Sequence, residues 1–192
     1  MPIPRLRPFR SELLLAVVAG LVLLAGCTIH ESREGGEKKV DIQTPFASLN
    51  VNTDASANDT GLPVYPGARR KPGSAEDKHA ANVNISTGAF GLKLAVVSFE
   101  SDDPPEKVLG FYRDKMKAFG GTYLECRDSY VDLDRDQHSD ELRCGKHGHD
   151  SGAVELKAGT KERQHVVAVK PRGSGSEFTL VYVQTHGKEG AL

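Results

Sequence analysis

The sequence predicts an α+β fold, a small antiparallel β-sheet packed on one main helix at about residues 104–119. Segments at 81–86, 92–99, 122–127, 154–157, 164–170 and 178–184 alternate apolar with polar residues or run apolar, and turn residues separate them. Only 104–119 carries a clear helical period. Two strands, a helix and then further strands suit an antiparallel sheet with a helix on one face. Trp is absent, and seven Phe, five Tyr and twenty Gly suit a modest core with many turns.

At the N-terminus, Arg5, Arg7 and Arg10 precede an uninterrupted apolar run over residues 13–24. Ala25 and Gly26 then put small residues before Cys27. The run is short of the ~20 apolar residues that cross a hydrocarbon core, and Thr28-Ile29-His30-Glu31 ends it.

Leu24-Ala25-Gly26-Cys27 resembles the lipobox of bacterial lipoproteins at all four positions. The resemblance implies diacylglyceryl transfer to the Cys27 sulfur, cleavage before Cys27 and acylation of the new amino group. It also implies a place in the cell envelope, held to the membrane through Cys27 and facing the periplasm or exterior. In that family an Asp after the cysteine favours inner-membrane retention, so Thr28 points to the outer membrane where there is one. Two or three acyl chains hold firmly, because each buried methylene adds ~0.8 kcal/mol.

The expected organisation follows. Residues 1–26 are a signal peptide, 27–61 the lipidated Cys27 and a flexible tether with a short strand pair, 62–186 an α+β domain, and 187–192 a tail. Residues 28–39 carry too little apolar surface to offset ordering. Val40-Asp41-Ile42-Gln43-Thr44 alternates as a short strand does. Residues 40–51 echo 83–94 once one inserted residue aligns them, each reading as strand, turn and strand, and a shared hairpin preference explains the echo.

Leu62-Pro63-Val64-Tyr65-Pro66-Gly67-Ala68 opens the domain and closes on a Pro-Gly turn signal. In the helix, Asp103 is the expected cap and Pro104 suits the first position. Leu109, Tyr112, Met116 and Phe119 form its apolar stripe, which reads as core, and Gly120-Gly121 ends it. In the last strand Phe178, Leu180 and Tyr182 face one side, and Thr179, Val181 and Val183 the other. Tyr65-Pro66-Gly67-Ala68 together with Val108-Leu109-Gly110-Phe111-Tyr112 resembles motifs of small envelope proteins, and implies the fold rather than an activity.

Without residues 1–26 the formal charge moves from −1 to −3, which argues against nucleic acid as a partner. Setting Cys27 aside leaves Cys126 and Cys144, an even pair that reads as a disulfide in an oxidising envelope. Cys144, His147 and His149, with Cys126, form the alternative, a metal-binding cluster. Their spacing fits no common structural zinc motif, and the bridge would exclude it. Asp132, Asp134 and Asp136 alternate like a calcium loop, but Gln137 and Arg143 stand where such a loop needs Gly and Glu.

No nucleophile, zinc-protease or phosphate-loop motif occurs, so neither catalytic residues nor cofactors are expected. His165 reads as a core or edge histidine. Lys157, Lys161, Arg163, Lys170 and Arg172 read as a solvated basic patch. The reading is a non-enzymatic binding or scaffolding lipoprotein. The alternatives are a metal-dependent envelope protein or an accessory subunit of an envelope complex with a protein partner.

Overall fold

The computed structural model describes residues 27–34, 37–71, 80–127, 142–145 and 152–187. The elements run β1 (Thr28–Glu34), β2 (Glu37–Gln43), β3 (Ala47–Asn52), a 3-10 turn (Ala57–Thr60), β4 (Arg69–Arg70), β5 (Ala80–Thr87) and β6 (Phe90–Ser101). After them come α1 (Pro105–Lys117), β7 (Thr122–Arg127), β8 (Val154–Thr160), β9 (Arg163–Arg172) and β10 (Gly175–Gly187). The ten strands make one antiparallel sheet in the order β1-β2-β3-β5-β6-β10-β9-β8-β7, with β4 also pairing β6. The last strand is central, so the two halves of the sheet join only once β10 is in place.

The expectation of a small sheet packed on one main helix is corrected. The described residues are mostly antiparallel sheet, and the helix among them has only 13 residues. That helix packs on β8, β9 and β10 instead of organising the whole sheet. The missed strands lie in the stretch read as slack, for β1 and β2 pair from Thr28↔Gln43 to Glu34↔Glu37. Such strands need little buried surface of their own, because a neighbouring strand satisfies their backbone groups.

Alternation divides the side chains between two faces. On the helix face, Phe178, Leu180, Val97 and Phe99 meet Val108, Leu109, Tyr112 and Met116 of α1 in the main core. Phe178 is its hub, with its ring centroid 5.4 Å from Phe99, 5.8 Å from Tyr112 and 6.3 Å from Tyr65. The far face holds a smaller cluster of Val166, Val181 and Val183, backed by Leu92, Leu94 and Val96. Register continues it toward the β1 edge as the row Ile29, Ile42, Leu49, Ile85, Leu92, each directly opposite the next.

The helix start also departs from expectation. Pro104 is the cap residue and makes no side-chain cap. Asp103 instead accepts hydrogen bonds from Tyr65 Oη at 2.8 Å and Lys107 Nζ at 2.9 Å, so it ties the helix start to the preceding loop. Further along, Arg113 forks onto Glu125 of β7 through Nε at 3.1 Å and Nη2 at 3.0 Å. The hydrogen bonds from that guanidinium hold the Glu125 carboxyl below its ordinary range.

The echo between 40–51 and 83–94 is a pair of matching hairpins. Thr44 Oγ1 accepts the N–H groups of Phe46 and Ala47 and donates to the Ala47 carbonyl. Thr87 makes the same three contacts with Ala89 and Phe90. Each threonine stiffens its turn with side-chain bonds to the turn backbone, which in the first turn add to the Thr44 N–H to Ala47 carbonyl bond.

Candidate functional site

Cys27 stands directly before β1, exposed and free. Cys126 and Cys144 are joined in a disulfide, with Cα atoms 5.4 Å apart. Both sulfurs are therefore withdrawn from thiolate ligation, so Cys144 drops out of the metal cluster. Residues 132–141, His147 and His149 lie outside the described residues. Among the described residues no three His, Cys, Asp or Glu side chains gather to hold a metal.

The bridge has a structural consequence. Cys126 sits opposite Glu155 in the β7–β8 register, on the far face, and the disulfide brings residues 142–145 to that end of the sheet. Leu142 is buried, and the Arg143 carbonyl accepts a hydrogen bond from Lys157 Nζ at 3.1 Å. Lys157 is thus no part of a solvated patch. Its side chain is 1% exposed, and its ammonium lies 3.6 Å from the equally buried carboxylate of Glu155.

Of the basic residues, Lys170 and Arg172 pair with Glu177 and Glu100 at one end of β9, whereas Arg163, at the other end, borders a cleft of about 450 Å³ beyond the C-terminal end of α1. Phe119, Gly121, Gly159, Arg163, His165 and Gln184 are among the residues that line it. It exists because two backbones meet there without side chains. A Cβ on Gly121 would stand 2.3 Å from the Gly159 carbonyl oxygen, so only glycine permits the approach.

His165, 8% exposed, forms the inner wall. Its ring stacks on Phe119 with centroids 3.7 Å apart, which turns the expected core residue Phe119 into a partly exposed lid over the imidazole. Nδ1 lies 3.0 Å from the Thr60 carbonyl, which can only accept, so Nδ1 carries the proton. Nε2 is left as a neutral acceptor. Burial pushes the His165 pKa down, and Arg163 adds to the shift. Among the described residues no hydroxyl, thiol or carboxylate hydrogen-bonds the ring, so the parts of a nucleophile–base pair are not assembled.

This histidine should make stability pH-dependent in one window. Its folded pKa lies below the unfolded value of about 6.5, so between the two the unfolded chain binds more protons. Stability is then full above about pH 6.5 and falls as the pH drops toward the folded value. Urea unfolding from pH 7.5 to 5 should show that decline in the native protein and a flatter profile in His165→Gln. Equal slopes would contradict the assignment.

Sequence reasoning missed the cleft because its parts are far apart in the chain. The one available signal was a glycine pair after the helix together with a histidine inside a strand pattern. Compared with protein-family models, curated proteins and solved structures, the chain finds no match. No helix among the described residues is long and apolar enough to cross a membrane.

Proposed function

We propose that the protein is a bacterial envelope lipoprotein, anchored by acyl chains on Cys27, whose folded part is a non-enzymatic binding or scaffolding module. The observation that carries this reading is Leu24-Ala25-Gly26-Cys27 behind a basic start and an apolar run. Its support is that Cys27 stays unpaired and exposed while the other two cysteines pair. Thr28 favours the outer membrane where one exists. The binding part of the reading rests on the cleft, whose volume falls in the ordinary small-ligand range of roughly 300–1,000 Å³. With His165, Arg163, Glu162 and Gln184 in its lining, the cleft suits a small polar ligand. The imidazole is held by a carbonyl rather than a carboxylate, and this favours recognition over base catalysis.

The anchoring claim is tested by fractionation. The native protein should pellet with membranes and withstand a high-salt wash, whereas Cys27→Ala should keep its signal and leave the acylated pool. A Cys27→Ala protein still acylated and processed before residue 27 would sink the reading.

A further inference from the structure

The sheet has one rim that continues directly from Cys27. Thr28, Gln43, Ser48, Ser86, Gly91 and His186 lie opposite one another in register across six strands. Immediately beyond that row come Cys27 and the two threonine-anchored turns, 44–47 and 87–90. At about 4.8 Å between strands, the first turn is roughly 7 Å and the second roughly 17 Å across the sheet from Cys27.

Neither tip carries a charge. Pro45, Phe46, Gly88 and Ala89 are all exposed, and Phe46 is the most exposed large apolar side chain described, at 83%. Ile29, two residues from Cys27, is 67% exposed. Exposed hairpin tips are ordinarily polar, and here two rigid apolar ones stand beside the proposed acylation site. The strand begins at Thr28, which leaves no slack between Cys27 and the folded body.

We propose that this rim seats on the lipid membrane: the tips at Phe46 and Ala89 enter the headgroup boundary beside the Cys27 acyl chains, so the sheet stands on the bilayer with its β9–β10 turn pointing away. The proposal rests on the lipoprotein reading. Acylation of Cys27 holds the rim at the surface, and a Phe at the tip fits the apolar boundary there. The cleft lies close to that same rim, since Thr185 and Gln184 of its lining stand one and two residues from His186, whereas Cys126, level with Thr179 in register, holds the disulfide segment further from it.

The chain contains no Trp, so a single one reports its own surroundings. Full-length acylated Phe46→Trp, and Ala89→Trp as a second reporter, would be reconstituted in phosphatidylcholine vesicles containing lipids brominated high on the acyl chains. Ser174→Trp, in the β9–β10 turn roughly 40 Å along β10, is the reference. The expected result is blue-shifted emission lost to bromolipid at positions 46 and 89, and unquenched emission at 174. Equal emission at all three positions, with Cys27 acylated by mass, would overturn the seating and leave the anchor intact. An unacylated Cys27 would instead overturn the anchor and the seating with it.

Discussion

Phe178→Ala should lower the unfolding free energy by about 3–5 kcal/mol, the usual cost of emptying a buried phenylalanine site. The side chain is 1% exposed, and its ring joins β10 to Phe99 of β6, Tyr112 of α1 and Tyr65 of the entry loop. Its neighbours cannot collapse into the space cheaply. Tyr112 is fixed by its own hydroxyl, which donates to the Pro63 carbonyl at 2.9 Å. The same truncation at Phe46, which is 83% exposed, should change stability by less than about 0.5 kcal/mol. Urea midpoints of the two variants measure the contrast. Similar losses would mean that the helix-face core is placed wrongly.

Lys157→Ala should be about as damaging, at about 3–5 kcal/mol, because it removes the cation from a buried ion pair with Glu155. It also removes the donor to the Arg143 carbonyl. Replacing both charges, Lys157→Met with Glu155→Leu, should recover much of the loss, since an apolar pair carries no desolvation cost. The disulfide holds the segment that supplies that carbonyl, and its 18-residue separation makes it worth roughly 3 kcal/mol on the chain-entropy account. Its removal and Lys157→Ala should therefore add to less than the sum of their separate losses. A double variant no better than Lys157→Ala would contradict the pairing.

The parts of the fold that were legible are those whose side chains alone determine their state. β6 and β10 carry long apolar alternation, and α1 has a stripe at Leu109, Tyr112 and Met116 closed by two glycines. All were expected within a few residues. β1 was not legible, because Thr28–Glu34 is polar and its order comes from backbone pairing with β2. That oversight also made the sheet too small and the helix too important. Asp103 has the composition of a cap but serves Tyr65 and Lys107. Lys157 has the composition of a surface residue but is enclosed by a bridge whose partner lies 18 positions from Cys126. Both are decided by contacts distant in sequence.

For the candidate site, the sequence held the cysteine pairing, which depends on parity. It held nothing of the cleft, where Thr60, Phe119, Gly159 and His165 converge only after the strands have ordered.

The central claim is that the folded sheet begins where the lipid ends. Mass spectrometry of the N-terminal peptide from membrane-extracted protein tests it most directly. The account predicts a peptide that starts at Cys27 and carries a diacylglyceryl group. A peptide starting elsewhere, or one with an unmodified Cys27 thiol, would contradict it.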